Sequence, residues 1–319
     1  MKAIVVSRYG EPELLEVREV EDPQAGEGEV LIKIVATALN KRENRTSPPP
    51  GASLYPGLEC SGIIEAVGSG VSKWKVGDEV CALLGGGGHA EKVNVPAGQV
   101  FPIPKGVSLQ DAAGIPEVAC TVWSTIFMSV HLSKGETLLI HGGGSGIGTF
   151  AIQIAKAKDV KVFITAGNDE RVKKCIELGA ADGINYKTED FVERVKALTG
   201  GKGVDVILDF VGAPYLNRNV EALAVGGRLF IIGLQEGATG DINLSLVLGK
   251  HLTVAGAGLR NRTAENKAQI VQEVLEHVWP EIEAGKVKIV IDEVFPLERA
   301  ADAHCALESS HFGKILLTP

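Results

Sequence analysis

A glycine-rich turn between an apolar run and a helical pattern constrains the fold of this chain most. The run Thr137–Ile140 leads into His141–Gly148, which reads HGGGSGIG, and a helical pattern follows. Glycines at such a turn allow a tight reversal and let the backbone approach a diphosphate, whose charge meets the helix N-terminus. On the pattern GxGxxG the key positions are Gly143, Ser145 and Gly148, so serine stands at the usual second glycine. The strand, turn and helix together predict a dinucleotide-binding fold.

The chain beyond residue 116 alternates strands with helices. The predicted strands are Val160–Thr165, Ile184–Tyr186, Val204–Phe210, Arg228–Gly233 and Leu252–Ala257, and the predicted helices are Gly146–Lys158, Asn168–Leu178 and Thr188–Leu198. Alternation of this kind predicts a parallel sheet covered on both faces, hence a doubly wound Rossmann domain over residues 116–257. We expect Leu252–Ala257 to be its edge strand. A helix over Ala264–Val278 and a strand over Lys314–Thr318 complete the prediction.

The first 115 residues are β-rich. Val30–Ala38 alternates apolar residues with period two, which predicts a half-buried strand. Shorter runs follow, and the N-terminal residues form a first strand; the runs are Ser61–Val67, Asp78–Leu83, His89–Val95 and Gln99–Ile103. Short strands separated by turn signals predict a compact, barrel-like antiparallel domain. The proline-rich stretch Ser47–Gly51 is expected to be a surface loop.

Charge and cysteine usage exclude several classes of protein. With 32 basic and 40 acidic residues the net charge is −8, which disfavours nucleic acid as a partner. No apolar run reaches the roughly 18 residues of a membrane helix, and the N-terminal run is too short for a signal peptide. We therefore expect a soluble, cytoplasmic protein without a membrane partner. The five dispersed cysteines predict buried single thiols; they are Cys60, Cys81, Cys120, Cys175 and Cys305.

The end of the second predicted Rossmann strand bears on the choice of cofactor. Folds selective for NAD place a carboxylate there, whereas this strand ends in Ala166-Gly167-Asn168. Arg171 follows within one helical turn, and a small polar residue with a cation suits the 2′-phosphate of NADP. Asp169 and Glu170 lie beside it and favour NAD. The pattern favours NADPH and leaves NADH as the alternative.

Further motifs occur in order along essentially the whole chain. They are Ala38–Asn40, Pro48–Ser53, Gly57–Gly62, Val76–Val80, His141–Gly148, Thr165–Gly167, Leu178–Ala180, Ile184–Tyr186, Asp241–Asn243 and Gly313–Ile315. With them the chain resembles the zinc-independent quinone oxidoreductase branch of the medium-chain dehydrogenase/reductases, most closely its p53-inducible quinone oxidoreductase-like members. The resemblance implies an α/β fold, in which a GroES-like β-rich catalytic domain (residues 1–115 with the return 258–319) holds an inserted doubly wound Rossmann domain (116–257). It places the active site in the cleft between the domains.

The resemblance also implies roles for individual residues. Arg171 and Tyr186 match the lysine and tyrosine that hold the 2′-phosphate, and Asn40 and Thr121 match positions that line the nicotinamide and the substrate. Tyr55 ends the variable loop 41–55 that forms the pocket wall, and it is the third candidate catalytic residue. The other predicted cofactor-binding residues are Gly143, Gly144, Ser145, Gly146, Ile147, Gly148, Asn168, Gly233, Leu234, Phe312 and Lys314.

The expected chemistry follows from the missing metal ligands. Zinc-dependent members carry Gly-His-Glu where this chain has Gly57-Leu58-Glu59, and a cysteine near Asn40. A catalytic zinc needs three protein ligands, so we expect no metal. Glu59 and His89, the nearest ionisable residues, are expected to be structural. Without a Lewis acid, the expected substrates are acceptors that are already electrophilic.

Three functions remain open at this point. The first is an NADPH-dependent quinone oxidoreductase, the second an NADPH-dependent enone or enoyl reductase, and the third an NADPH-binding protein with little turnover.

In relatives the edge strand of the Rossmann sheet pairs with its copy across a two-fold axis. A homodimer is therefore expected, because an open edge exposes unpaired backbone groups.

Overall fold

The computed structural model describes residues 1–6, 15–41, 55–309 and 311–319, so Ser47–Gly51 and Pro48–Ser53 lie outside the described residues. The chain divides into two compact units. Unit 1 comprises Met1–Cys120, Leu259–Gly285 and Ile289–Pro319, and unit 2 comprises Thr121–Gly258 with Lys286–Lys288. The division at 120/121 and 258/259 lies a few residues from the predicted domain boundaries. The short excursion of Lys286–Lys288 was not predicted.

Strands and helices are numbered in chain order. The strands are β1 (Lys2–Val6), β2 (Leu15–Glu19), β3 (Glu29–Ala38), β4 (Glu59–Val67), β5 (Glu79–Leu83), β6 (Lys92–Pro96), β7 (Val100–Pro102), β8 (Thr137–Ile140), β9 (Lys161–Ala166), β10 (Asp182–Asn185), β11 (Val204–Asp209), β12 (Leu223–Ile231), β13 (Thr253–Gly256), β14 (Ile291–Pro296) and β15 (Lys314–Thr318). The helices are α1 (Pro116–Val122), α2 (Gly146–Ala157), α3 (Asp169–Leu178), α4 (Phe191–Leu198), α5 (Leu216–Ala222), α6 (Leu244–Gly249), α7 (Ala264–His277), α8 (Trp279–Glu283) and α9 (Ala300–Ser309). A π-helical segment, Trp123–Ser129, continues α1.

Unit 1 contains a mostly antiparallel sheet. Its order is β14-β15-β3-β4-β5-β7, with β6 also paired to β3. The pair β14–β15 is parallel, unlike the purely antiparallel domain that the sequence predicts. The other pairs run antiparallel, and β1 and β2 form a separate ribbon. The C-terminal strand β15 therefore lies inside the sheet of unit 1.

The central strand β3 is buried more fully than its alternation predicts. Val30, Ile32 and Ile34 on one face belong to a core cluster, as expected. Leu31 and Thr37 on the opposite face are also buried. Thr37 is accommodated because its hydroxyl donates to the Glu59 carbonyl at 2.6 Å. The prediction of a half-buried strand is thus wrong at both ends of β3.

Unit 2 is a doubly wound α/β domain. Its six strands lie in the order β10-β9-β8-β11-β12-β13, and every pairing is parallel. This is the strand order of a dinucleotide-binding fold, with β8 and β11 at the point where the direction of winding reverses. The predicted parallel sheet is confirmed, and β13 is its edge.

The structure corrects three local predictions. Helix α4 begins at Phe191 rather than at Thr188, because the Asp190 carboxylate caps it by accepting from the N–H groups of Val192 and Glu193. Strand β12 begins at Leu223, before the predicted Arg228. Cys305 is exposed, so the expectation of buried thiols is confirmed only for the other four cysteines.

None of the helices in the described part of the chain is both long and apolar enough to cross a membrane.

Candidate functional site

The glycine-rich turn follows β8 at the carboxyl edge of the parallel sheet. A Cβ atom on Gly143 would lie 2.7 Å from the Cβ of Ile164, and one on Gly148 would lie 2.5 Å from the carbonyl oxygen of Gly142. Both positions therefore require glycine. Ser145 caps α2, since its Oγ accepts from the Gly148 N–H at 3.0 Å. Gly144 is buried, and Gly146 and Ile147 form the first turn of α2.

A buried polar network supports the turn. His141 Nε2 lies 2.7 Å from Asn219 Oδ1, and His141 Nδ1 lies 3.1 Å from Thr165 Oγ1. Because an amide oxygen only accepts, Nε2 carries the proton and Nδ1 accepts from the Thr165 hydroxyl. That hydroxyl in turn accepts from the Gly142 N–H at 3.2 Å. Burial lowers the pKa of His141 to about 4, which keeps the ring neutral, as this network requires. The sequence did not point to Asn219, which follows His141 by 78 positions.

The carboxyl ends of β9 and β10 bring together the residues predicted to bind the 2′-phosphate. Asn168 caps α3, its Oδ1 accepting from the Arg171 N–H at 2.8 Å, and Arg171 lies in the first turn of that helix. Tyr186 follows β10 and is 45% exposed. A Cβ on Gly167 would lie 2.9 Å from the Tyr186 hydroxyl, so glycine leaves room for this oxygen. The arrangement places a cation and a phenol at one end of the sheet.

The two acids in this region are held by neighbouring residues. Asp169 Oδ1 accepts from the Asn185 amide at 2.7 Å. Glu170 pairs with Lys174 one turn further along α3 at 2.8 Å, and this hydrogen bond lowers the pKa of Glu170. Neither contact follows from the sequence pattern, which left Asp169 as a candidate ribose ligand.

A buried charged cluster lies in unit 1 at the starts of β4 and β15. Lys314 Nζ lies 2.6 Å from Glu59 Oε1 and 3.0 Å from Asn40 Oδ1, and the side chains of Lys314 and Glu59 are 3% and 0% exposed. The Asn40 amide nitrogen donates to Glu59 Oε1 at 3.3 Å. Since one end of the amide faces an ammonium and the other a carboxylate, the orientation of the Asn40 side chain is fixed. Glu59 Oε2 also accepts from the Glu117 N–H at 2.9 Å, at the start of α1.

Lys314 is also one of the residues predicted to contact the cofactor. Its third acceptor is the carbonyl oxygen of Leu39, at 3.0 Å. An ammonium has three N–H donors, and all three are used inside unit 1. Lys314 therefore holds the Asn40 side chain in place, and its contact with a cofactor stays a prediction.

The remaining predicted residues divide between the units. In unit 1, Tyr55 is half-buried and its carbonyl accepts from the Gly87 N–H at 2.8 Å, and Phe312 is half-buried. In unit 2, Thr121 is buried in α1, and its carbonyl accepts from the Thr125 hydroxyl at 2.6 Å. Gly233 and Leu234 follow β12, and a Cβ on Gly233 would lie 3.0 Å from the Cβ of Phe210.

Comparison with known proteins identifies the class. The alcohol dehydrogenase GroES-like domain matches residues 26–105, and the zinc-binding dehydrogenase domain matches residues 146–277. Quinone oxidoreductase of Rattus norvegicus is 33% identical over 326 residues, which cover 99% of this chain and 97% of that protein. Escherichia coli quinone oxidoreductase complexed with NADPH superposes with a TM-score of 0.89 at 30% identity, covering 100% of both chains. An NAD-dependent alcohol dehydrogenase superposes with a TM-score of 0.88 at 32% identity, also covering 100% of both.

These matches place the chain among the medium-chain dehydrogenase/reductases, as its GroES-like and Rossmann domains require. Within that superfamily it belongs to the quinone oxidoreductase family.

Proposed function

We propose that this protein is a zinc-free, cytoplasmic oxidoreductase that transfers reducing equivalents from NADPH to quinones. The observation that carries the proposal is the group at the ends of β9 and β10. Arg171 and Tyr186 lie where the ribose of a dinucleotide is bound in this fold, and Asn185 holds the nearest acid, Asp169. Relatives named quinone oxidoreductase, one of them complexed with NADPH, support the same assignment.

The donors of this chain do not fit a catalytic zinc. Leu58, which precedes Glu59, is apolar and buried. The Glu59 carboxylate is neutralised by Lys314, and the Asn40 amide is held between them. Within the described ranges no three histidine, cysteine or acidic side chains come together as a metal site. A chain without these ligands suits acceptors that need no Lewis acid, such as quinones.

Different residues of the chain bind the cofactor and orient the reacting groups. The glycine turn and the α2 N-terminus bind the diphosphate, and Arg171 and Tyr186 bind the 2′-phosphate. Lys314 and Glu59 fix the Asn40 amide, which orients the reacting groups within unit 1. NADPH supplies the hydride chemistry when bound.

The test is a survey of acceptors. NADPH oxidation is followed at 340 nm against ortho-quinones, para-quinones and enones, with and without a chelator, and zinc is measured by elemental analysis. We expect turnover with quinones, unaffected by the chelator. Turnover with enones alone would identify an enone reductase. Tight NADPH binding without turnover of any acceptor would identify a binding protein, and activity lost with one zinc per chain would refute the zinc-free proposal.

Removal of Arg171 tests the choice of cofactor. Arg171→Ala should raise the NADPH dissociation constant by about ten- to hundredfold, because charge-assisted hydrogen bonds to a phosphate contribute roughly 1.5–3 kcal/mol. The NADH constant should hardly change, and the NADPH preference should shrink with added salt. Lys173→Ala, an exposed charge on the same helix, is the matched control. Equal losses for both cofactors would assign Arg171 to the fold, and a wild-type preference for NADH would overturn the assignment.

The open edge of the parallel sheet supports a homodimer. Strand β13 is mostly exposed, and Val254 on this strand and Leu244 and Leu248 on α6 are exposed apolar residues. We propose that β13 pairs with its copy across a two-fold axis, which satisfies its backbone groups. Light scattering should give about twice the chain mass of 33.6 kDa. Val254→Asp should shift the protein towards the monomer, whereas Val76→Asp, at an exposed site in unit 1, should not. A wild-type monomer at micromolar concentration would contradict the proposal.

A further inference from the structure

Lys267, on α7 in unit 1, is a lysine whose side chain is almost wholly buried. The residue is only 5% exposed. Within the part of the chain that the structure describes, no hydrogen bond or ion pair ends on its Nζ. Burial lowers its pKa, and the attraction of Glu117 opposes that shift. A positive charge at the end of an almost wholly buried side chain is costly without a counter-charge, so this arrangement favours the binding of an anion there.

A second cation borders the same backbone segment. Arg260 is half-buried, and its Nε donates to the Gly85 carbonyl at 3.3 Å. A Cβ on Gly85 would lie 3.6 Å from Lys267 Nζ, so both cations lie against this glycine. The terminal nitrogens of Arg260 make no hydrogen bond to any described residue. A guanidinium with an open fork matches the paired oxygens of a carboxylate or phosphate.

The backbone beside these cations offers both space and donors. Lys267 Nζ is the one heavy atom of the described residues that comes within 4 Å of a Cβ built on Gly85, so the position is open. The N–H groups of Leu84, Gly87 and Gly88 donate to the carbonyls of the segment 55–58. The N–H groups of Gly85 and Gly86 make no backbone hydrogen bond with the described chain. These two N–H groups are therefore available to an oxyanion.

Among the described residues, the charged groups around Lys267 leave one positive charge unbalanced. Burial raises the pKa of the Cys120 thiol, which stays neutral. Among the described residues, Glu117 is the acid that attracts the Lys267 ammonium, and Arg260 repels it. We propose that Lys267, Arg260 and the N–H groups of Gly85 and Gly86 form an oxyanion site that takes a carboxylate or phosphate group.

The oxyanion site adjoins the charged cluster that holds Asn40. Glu117 connects the two, because its N–H binds Glu59 while its carboxylate attracts Lys267. Gly87 is likewise bonded to the Tyr55 carbonyl. The anion is therefore either a free ion or the charged end of the electron acceptor, and the second case rests on the proposed function.

Binding of simple anions tests the oxyanion site without any enzyme assay. Calorimetry and thermal unfolding are measured with sodium phosphate and sodium acetate, and sodium chloride keeps the ionic strength constant. We expect one of the two anions to bind the wild type and to raise its unfolding temperature. Lys267→Met and Arg260→Leu should weaken binding at least tenfold, whereas Lys202→Met, an exposed lysine of unit 2, should not. Glu117→Gln should tighten binding, because it removes the competing negative charge.

Two results would overturn the oxyanion site. One is the absence of phosphate and acetate binding to the folded wild type, and the other is unchanged binding in Lys267→Met. If Lys267→Met does not fold, Arg260→Leu decides the matter, because Arg260 is half-buried and its loss leaves less of the core disturbed.

Steady-state kinetics separate the two sources of the anion. A para-benzoquinone that bears a carboxylate is compared with a neutral one, with and without the anion, phosphate or acetate, that binds in calorimetry. If this anion raises the KM of the carboxylated quinone alone, the site holds the charged end of the acceptor. If it changes neither KM, the site holds a free ion. Absence of turnover with every quinone would refute the proposed function, while binding measured by calorimetry would still establish the oxyanion site.

Discussion

Gly148→Ala is expected to weaken NADPH binding by roughly ten- to hundredfold and to destabilise unit 2. A single added methyl would lie 2.5 Å from the Gly142 carbonyl oxygen and 2.7 Å from the Gly143 Cα. Carbon atoms in contact normally lie about 3.5–4.0 Å apart, so the turn must open. The clash involves backbone, and the His141–Thr165 hydrogen bonds hold that backbone in place. Overpacking of a rigid site costs about 1–3 kcal/mol, which corresponds to the expected change in affinity.

Gly249→Ala is the matched control for this prediction. Gly249 ends α6 in the same unit, and no heavy atom lies within 4 Å of a Cβ built on it. Fluorescence titration with NADPH and thermal unfolding should therefore give wild-type values for this variant. If Gly148→Ala also binds NADPH with wild-type affinity, the glycine turn is not the diphosphate site.

Lys314→Met should destabilise unit 1 by about 3–5 kcal/mol, because it leaves the Glu59 carboxylate buried without its counter-ion. The carboxylate is fully buried, and Lys314 Nζ lies 2.6 Å from it. The same change frees the Asn40 amide, so kcat should fall as well. Chemical denaturation and steady-state kinetics measure the two effects.

A double variant distinguishes the loss of the ion pair from the change in side-chain volume as the cause of destabilisation. Glu59→Gln combined with Lys314→Met removes both charges, and it should be more stable than Lys314→Met alone. Lys92→Met is the control, since Lys92 pairs with Asp22 and Glu65 at the surface, where such pairs contribute about 0–1 kcal/mol. A Lys314→Met protein within about 1 kcal/mol of wild type would contradict the buried-pair interpretation.

The sequence predicts the parallel sheet well, because its signals are local. Within that sheet, β8 has the predicted bounds Thr137–Ile140. In unit 1, β15 likewise has the predicted bounds Lys314–Thr318. The start of α4 was misplaced because Thr188 and Asp190 are both acceptable caps, and the structure uses the aspartate. Competition between neighbouring caps is decided by the chain around them, and a short sequence window does not contain that information.

The candidate site was harder to predict because its contacts join distant parts of the chain. The sequence does not reveal that the Lys314 ammonium binds Glu59, 255 positions away. Lys267 also has nothing in its local pattern to distinguish it from a solvated lysine, since a helix exposes most of its charged residues. Only the packing of α7 shows that the Lys267 side chain is buried. Local periodicity therefore locates elements, and the partners of buried charges require the three-dimensional structure.

The separation of Glu59 from Lys314 has a consequence for protein synthesis. At about 5–20 residues per second, a ribosome needs roughly 13–50 s to add the 255 residues between them. During that interval all of Thr121–Gly258 is translated, so the parallel sheet of unit 2 has every strand it needs before β15 exists. During the same interval Glu59 lacks its counter-ion Lys314, and one edge of β3 lacks its partner strand β15. The inserted unit can thus fold first, and the nascent N-terminal segment is the part of the chain that most needs protection from aggregation.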